Sequence, residues 1–416
     1  MGTAEDVGVA IIGGGQAGLA TSYELTEAGV EHVVLEQGRL GETWRTRWDS
    51  FCLVTPNWSV LLPGHPYDGD DPDGYMPRDE IVAYLERYAA GFHAPVREGI
   101  KVTSLAQVPD GNFLLGTSDG EIRAGSVVVA TGAYQRAHRP EAAASLPAGL
   151  PQLDVPEYRS PAALPPGGVL IVGSGQSGCQ IAEELREAGR EVFLACGRAP
   201  WFPRRMGGRD LMWWFVETGF SDQTVEQLPT PAARLLSNVL ASGRNGGHDL
   251  HLRTLREAGV TLLGHFLGAE GHRARFADDL GESVAWGDDR YRELLGRVNR
   301  LVAERGLPEP AIVEPIPFDG AAPQELDLSG VGVVIFAGGF RPDYDSWIDV
   351  PGAFDELGFP LHTDGASSTA AGLYFVGVHF LRTRKSSLLC GVGEDAAVVA
   401  RQLVAGALEP GVRGRE

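Results

Sequence analysis

Residues 9–38 read VAIIGGGQAGLATSYELTEAGVEHVVLEQG, and residues 169–198 read VLIVGSGQSGCQIAEELREAGREVFLACGR. Set one above the other, without a gap, the two stretches spell the same local structure twice. An apolar, β-rich run (Val9–Ile12; Val169–Val172) enters a G-x-G-x-x-G turn. A helix-period segment follows and stops at Ala-Gly, and a second apolar strand completes each copy.

Each glycine of the turn answers a separate physical need. The first (Gly13, Gly173) permits the tight turn. The second (Gly15, Gly175) lets the backbone approach a pyrophosphate, and the third (Gly18, Gly178) lets helix and strand pack closely. The helix starts, with Gln16 and Ala17 in one copy and Gln176 and Ser177 in the other, offer N–H groups and the positive end of the helix dipole to phosphates. The expected fold is therefore α/β, with two nested Rossmann-like dinucleotide-binding domains in three layers.

The copies differ where their ligands should differ. Glu36, followed by Gln37, ends the second strand of the first copy, where a carboxylate accepts hydrogen bonds from the hydroxyls of an adenosine ribose. That implies an unphosphorylated ribose, as in FAD or NAD. In the second copy Cys196 stands at the aligned position, with Arg198, Arg204 and Arg205 close behind. A missing carboxylate and added arginines point to a 2′-phosphate, hence NADPH, with at least one of the three arginines on it.

Two more apolar runs close on small residues: Ser126–Tyr134 (SVVVATGAY), holding Thr131 and Gly132, and Val331–Phe340 (VGVVIFAGGF), holding Gly339. Each returns the chain to a parallel sheet beside a dinucleotide, closing one domain or crossing between them. The proline-rich stretches 139–168 and 307–330 are the natural hinges. The expected division is a discontinuous FAD-binding domain, 1–160 and 326–416, interrupted by an NADPH-binding domain, 161–325.

The composition narrows the function. With 35 Lys+Arg against 55 Asp+Glu, the net charge of −20 argues against nucleic acid or an anionic membrane surface as the main partner. Cys52, Cys179, Cys196 and Cys390 lie far apart with no C-x-x-C pair, so neither a redox dithiol nor a metal site is expected. Scattered thiols and the absence of a long apolar run suggest a cytoplasmic protein.

Over nearly the whole chain the sequence resembles the class B flavin monooxygenases, in particular the bacterial CzcO-like flavoproteins. The resemblance rests on GGGQAG, Gly41-Glu42-Thr43-Trp44, the ATG of Ala130–Gly132, GSGQSG, and HFLRTRKSSLLCGVGEDA (His379–Ala396). The family's linker fingerprint has a central histidine; here Asp154 takes its place, between Leu146 and Pro161, while Tyr158 and Arg159 keep their positions. This departure bears on linker geometry.

The resemblance implies FAD in the first turn, NADPH in the second, and transfer of one oxygen atom of O2 through a C4a-(hydro)peroxyflavin to nitrogen or sulfur of a small molecule. Baeyer–Villiger oxygenation of a ketone and a non-catalytic FAD-binding sensor are the alternatives. By the same resemblance Asn57, in LVTPNWSVLLPG, is the catalytic residue at the flavin edge, and Trp44 packs near the flavin. His379, Arg382, Arg384 and Lys385 either bring positive charge to the flavin or an acidic substrate, or form a surface cluster. Homodimers are common in the family resembled.

Overall fold

The computed structural model describes residues 4–236 and 238–408. The repeat folds as its spacing predicts. Strand Glu5–Ile12, helix Gln16–Glu27 and strand His32–Glu36 form the first unit. Strand Gly168–Val172, helix Gln176–Glu187 and strand Val192–Ala195 form the second. Both strand pairs are parallel, with Val9 opposite His32 and Val169 opposite Val192. Both helices end at a left-handed glycine, Gly29 (φ 69°) and Gly189 (φ 77°). The next residue then bonds back, Val30 N–H to Leu25 O and Arg190 N–H to Leu185 O, each at 2.9 Å, which satisfies carbonyls the helix end would leave open.

The first unit nucleates a ten-stranded sheet, whose main path runs Ile348–Asp349, Val102–Gln107, Phe113–Thr117, Gly120–Val129, Glu5–Ile12, His32–Glu36, Val96–Glu98. Strand Leu373–Phe375 joins Gly120–Val129 in parallel near its C-terminal end, so the last part of the chain does return to the first sheet. The second unit nucleates a five-stranded parallel sheet in the order Gln152–Asp154, Val331–Phe336, Gly168–Val172, Val192–Ala195, Thr261–Leu263.

Two of these five strands fall outside the window 161–325. Gln152–Asp154 sits inside the proline-rich stretch taken as a hinge, and Val331–Phe336 pairs along the open edge of Gly168–Val172. The expected cuts at 160/161 and 325/326 thus pass through one sheet. Sequence alone misses this because a three-residue strand among prolines has no period of its own.

Burial follows the pleat. Ile11 and Val128 face the helices Gln16–Glu27, Arg78–Gly91 and Val392–Leu408, whereas Ala10, Ile12, Val127 and Val129 face the opposite layer. Val169 and Ile171 likewise face one core while Leu170 and Val172 face another. Strands covered on both faces read as unbroken apolar runs, which is why both copies begin that way.

The passage between the sheets is a small antiparallel ribbon. Ala137 lies opposite Phe340 and Arg136 opposite Arg341, and His138 N–H bonds Gly339 O at 2.9 Å. Asp154 secures the outgoing strand by a two-point pair to Arg139, at 2.8 and 3.1 Å. Tyr158 O–H donates to Glu184 Oε2 at 3.1 Å, and Asp49 N–H to Arg159 O at 2.9 Å. The altered fingerprint residue is therefore a clamp on the linker.

Candidate active site

The two glycine turns superpose in their contacts as well as in their sequence. Gly13 (φ 111°) and Gly173 (φ 114°) are left-handed. Their N–H groups reach Leu35 O at 2.8 Å and Ala195 O at 3.0 Å. A Cβ on Gly13 would come 2.8 Å from Ala130 O, and one on Gly173 2.5 Å from Ala337 O. The ATG run and the Val331–Phe340 run thus occupy equivalent places, each against the first glycine of a turn. Gly18 and Gly178 meet Gly13 O and Gly173 O so closely, 1.9 and 2.0 Å from an added Cβ, that no side chain fits.

Gly15 is different: a Cβ there would meet no atom within 4 Å. It precedes a helix start that no side chain caps, so backbone donors face open space, the cradle a pyrophosphate requires. Buried Glu36 closes one side of it. Its carboxylate accepts Gly14 N–H at 2.7 Å and Gly38 N–H at 2.9 Å, which fixes the group and leaves lone pairs for ribose hydroxyls. Gln37 beside it is exposed. Gln16 accepts Trp44 Nε1–H at 2.9 Å and donates to Ser387 O at 3.2 Å, tying the helix start to the C-terminal motif. Ala17 is buried against Gly377.

In the second turn Ser174 replaces Gly14, and its hydroxyl exchanges hydrogen bonds of 3.0 Å with Gly197 O and N–H. It does the turn-closing task that Glu36 does in the first, so no carboxylate is needed. Gln176 holds Ala241 by both its amide groups. Ser177 is half-buried at the helix start, and Gly339 (φ 81°) opens onto free space. Thr131 is exposed and accepts from Gln135 at 2.9 Å; Gly132 O accepts the Tyr344 hydroxyl at 2.7 Å.

The three arginines separate. Arg198 is exposed and has no hydrogen bond or ion pair among the described residues. Arg204 is fully buried: it pairs with Asp210 at 2.6 Å, donates to Val54 O at 2.7 Å and lies over the Tyr75 ring. It staples the two halves of the chain together and is not free for a phosphate. Arg205 is exposed, with its guanidinium on Gly246 O and Gly247 O. Trp214 is likewise core, its Nε1–H on Met206 O.

Asn57, the expected catalytic residue, has both ends of its amide engaged. It is 4% exposed; its Nδ2 donates to Asp71 O at 2.9 Å and its Oδ1 accepts Met76 N–H at 2.8 Å. Both ends of the amide brace the loop 71–76.

Three residues that the motifs merely flank come together, Tyr134, His379 and Arg47. Tyr134, next after the ATG-Ala run, is 44% exposed. Its ring stacks on His379, 5.4 Å apart and 5° from parallel. Arg47, three residues past Trp44, faces Tyr134; burial lowers its pKa, and its Nε is buried without a partner.

His379 brings no positive charge, because burial pushes its pKa down to about 4. Arg382 is paired with Asp364 and Asp395, and Lys385 with Asp222 and Glu394. Among the described residues Arg384 has no carboxylate partner: it donates to Gln223 Oε1 at 2.7 Å between the rings of Phe220 and Phe380. Burial lowers it to about 10, so it stays charged at neutral pH.

None of the four thiols suits redox exchange. All are free, and burial raises Cys52 and Cys390 to about 11 and Cys196 to about 12. A reactive thiol needs the opposite shift.

Residues 10–207 match the family described as pyridine nucleotide-disulphide oxidoreductase. The chain is 32% identical over 400 residues to an uncharacterized CzcO-like oxidoreductase of Geobacillus kaustophilus, covering 96% of this chain and 98% of that one. The protein belongs to the CzcO-like oxidoreductases. Indole-3-pyruvate monooxygenase YUCCA1 of rice is 31% identical over 206 residues, covering 48% of this chain and 50% of that one. A flavin-containing monooxygenase from Stenotrophomonas maltophilia shares the fold, with a TM-score of 0.69 at 22% identity over 97% of this chain and 99% of that one. Among the described residues no helix is long and apolar enough to cross a membrane.

Proposed function

We propose that the protein is an NADPH-dependent flavin monooxygenase that oxygenates a small molecule at nitrogen or sulfur. The carrying observation is the pair of equivalent glycine turns with opposite chemistry beyond them: the fixed carboxylate of Glu36 in one, a thiol and the unpaired Arg198 in the other. The first turn fits FAD, with Gly15 and the uncapped helix start on the pyrophosphate and Glu36 on the ribose. The second fits NADPH, with Gly175 on the pyrophosphate and Arg198 on the 2′-phosphate. On this reading the FAD domain is the ten-stranded sheet with its layers, and the NADPH domain is the five-stranded sheet including residues 152–154 and 331–336.

FAD held in the first turn would supply the hydride acceptor and the site of O2 activation, and the chain supplies its placement. Trp44, held by Gln16, stands over the start of the first helix. Asn57 fixes the loop 71–76. Tyr134 and His379 form a stacked pair beside Arg47, and burial keeps His379 neutral. The likeness to monooxygenases along the chain and the inert cysteines support oxygen transfer over disulfide reduction.

The test is sequential. NADPH added to the FAD-loaded protein without oxygen bleaches the flavin; oxygen readmitted with an amine or thioether panel gives an oxygenated product in step with NADPH consumed. Flavin that NADPH fails to reduce refutes the proposal.

A further inference from the structure

Strands Val192–Ala195 and Thr261–Leu263 are parallel neighbours, with Ala195 opposite Leu263. Each continues two residues beyond that pair, to Gly197 and His265. Both therefore lie at the carboxyl edge of the sheet, where the adenosine end of a dinucleotide rests. A Cβ on Gly197 would stand 3.2 Å from His265 Nε2. Absence of a side chain at 197 is what lets the imidazole lie against the backbone, one residue before Arg198.

The ring is also oriented. Asp279 accepts the His265 backbone N–H at 3.0 Å through Oδ1, and its Oδ2 holds Nδ1 at 2.5 Å. Nε2 is the ring nitrogen left over, and it is the one beside Gly197. Arg256 is an electrostatic neighbour of the Cys196 thiol, with its guanidinium on Asp319 O and the Phe318 ring. Where the first unit places an acid for ribose hydroxyls, the second thus gathers two arginines and an anchored histidine.

We propose that His265, held by Asp279, is a second recognition residue for the 2′-phosphate of NADPH, bonding a phosphate oxygen through Nε2–H beside Arg198. Asp279 fixes the ring through Nδ1, which leaves Nε2 as the nitrogen placed to bond a phosphate oxygen. A bare 2′-hydroxyl brings no phosphate oxygen to that nitrogen, so the contact separates NADPH from NADH. This inference rests on the NADPH reading above.

Calorimetric titration of the FAD-loaded protein with adenosine 2′,5′-bisphosphate and with adenosine 5′-monophosphate tests it without turnover. The wild-type protein favours the bisphosphate. His265→Ala weakens the bisphosphate about tenfold, as expected for loss of one charge-assisted bond, and leaves the monophosphate unchanged, which also shows that the variant is folded. Asp279→Asn shifts the same ratio in the same direction by a smaller factor. If His265→Ala keeps the wild-type ratio, or loses both ligands equally, the assignment is overturned. A wild-type protein that binds both ligands equally overturns the NADPH reading, and this inference with it.

Discussion

Replacing Gly15 by alanine separates the fold from the cofactor. Gly15 has φ −84° and ψ −172°, extended backbone open to any residue. Its added Cβ meets no atom within 4 Å. The lost preference for glycine over alanine at a helix N-cap and the gain from a stiffer unfolded chain are each about 0.5–1 kcal/mol and opposite in sign. The apoprotein should keep its stability to within about 1 kcal/mol. The same methyl occupies the space through which phosphate oxygens approach the helix start, where they need about 2.7–2.9 Å to the N–H groups. Two such bonds lost at about 1.5 kcal/mol each give about 3 kcal/mol, or on the order of 100-fold weaker FAD binding. Gly18→Ala is the contrast: its Cβ would lie 1.9 Å from Gly13 O, an overlap that pries the helix from the strand at about 3 kcal/mol. Denaturant unfolding of the apoproteins reads the first quantity, and quenching of FAD fluorescence on titration reads the second. Wild-type FAD affinity in Gly15→Ala would refute the cradle.

Arg198→Ala raises the KM for NADPH about tenfold and leaves that for NADH unchanged, as steady-state flavin reduction with both nucleotides will show. Arg204→Ala leaves Asp210 without its buried partner and costs about 3–5 kcal/mol, read as a lower denaturation midpoint with the nucleotide preference intact. Asn57→Ala strands Met76 N–H and Asp71 O and lowers stability by about 2 kcal/mol; a larger effect on kcat than on stability would restore the residue to the chemistry. Burial raises the Asp395 carboxyl from 3.8 to about 6. Between those values the folded chain holds a proton that the unfolded chain has released, so this contribution is present at low pH and falls away as pH rises through 6. The loss is about 3 kcal/mol, and Asp395→Asn should remove it from a pH series of unfolding curves.

What the sequence makes legible is short-range. Glycine spacing, the Ala-Gly helix stops and the apolar runs are decided within about 30 residues, and they fold as written. The exchange of Glu36 for Cys196 is equally local, because both end the same strand of the same unit. Fates set by distant partners are not legible. Arg204 and Arg198 look alike in sequence, yet Asp210 and Val54 O consume one and leave the other free. Asn57 sits in a matching string, but Asp71 and Met76 decide where its amide points. Arg47 and Tyr134 each follow a recognised motif closely, and proximity to Trp44 and to the ATG run was the available signal. For His265 there was none: its relation to Arg198 exists solely because two strands whose paired residues are 68 apart in sequence run side by side.

The ribbon of Arg136–Ala137 against Phe340–Arg341 has a mechanical corollary. A single covalent strap between two bodies would act as a swivel, free to turn in any direction. Two straps zipped side by side behave like a strip of leather: easy to flex across the flat, stiff to shear and reluctant to stretch. The strip also lies close to both turns: Arg136–Ala137 follows the ATG run, and Phe340–Arg341 follows Gly338, where an added Cβ would come 2.5 Å from His138 O, so flexing of the strip would bear on both glycine turns.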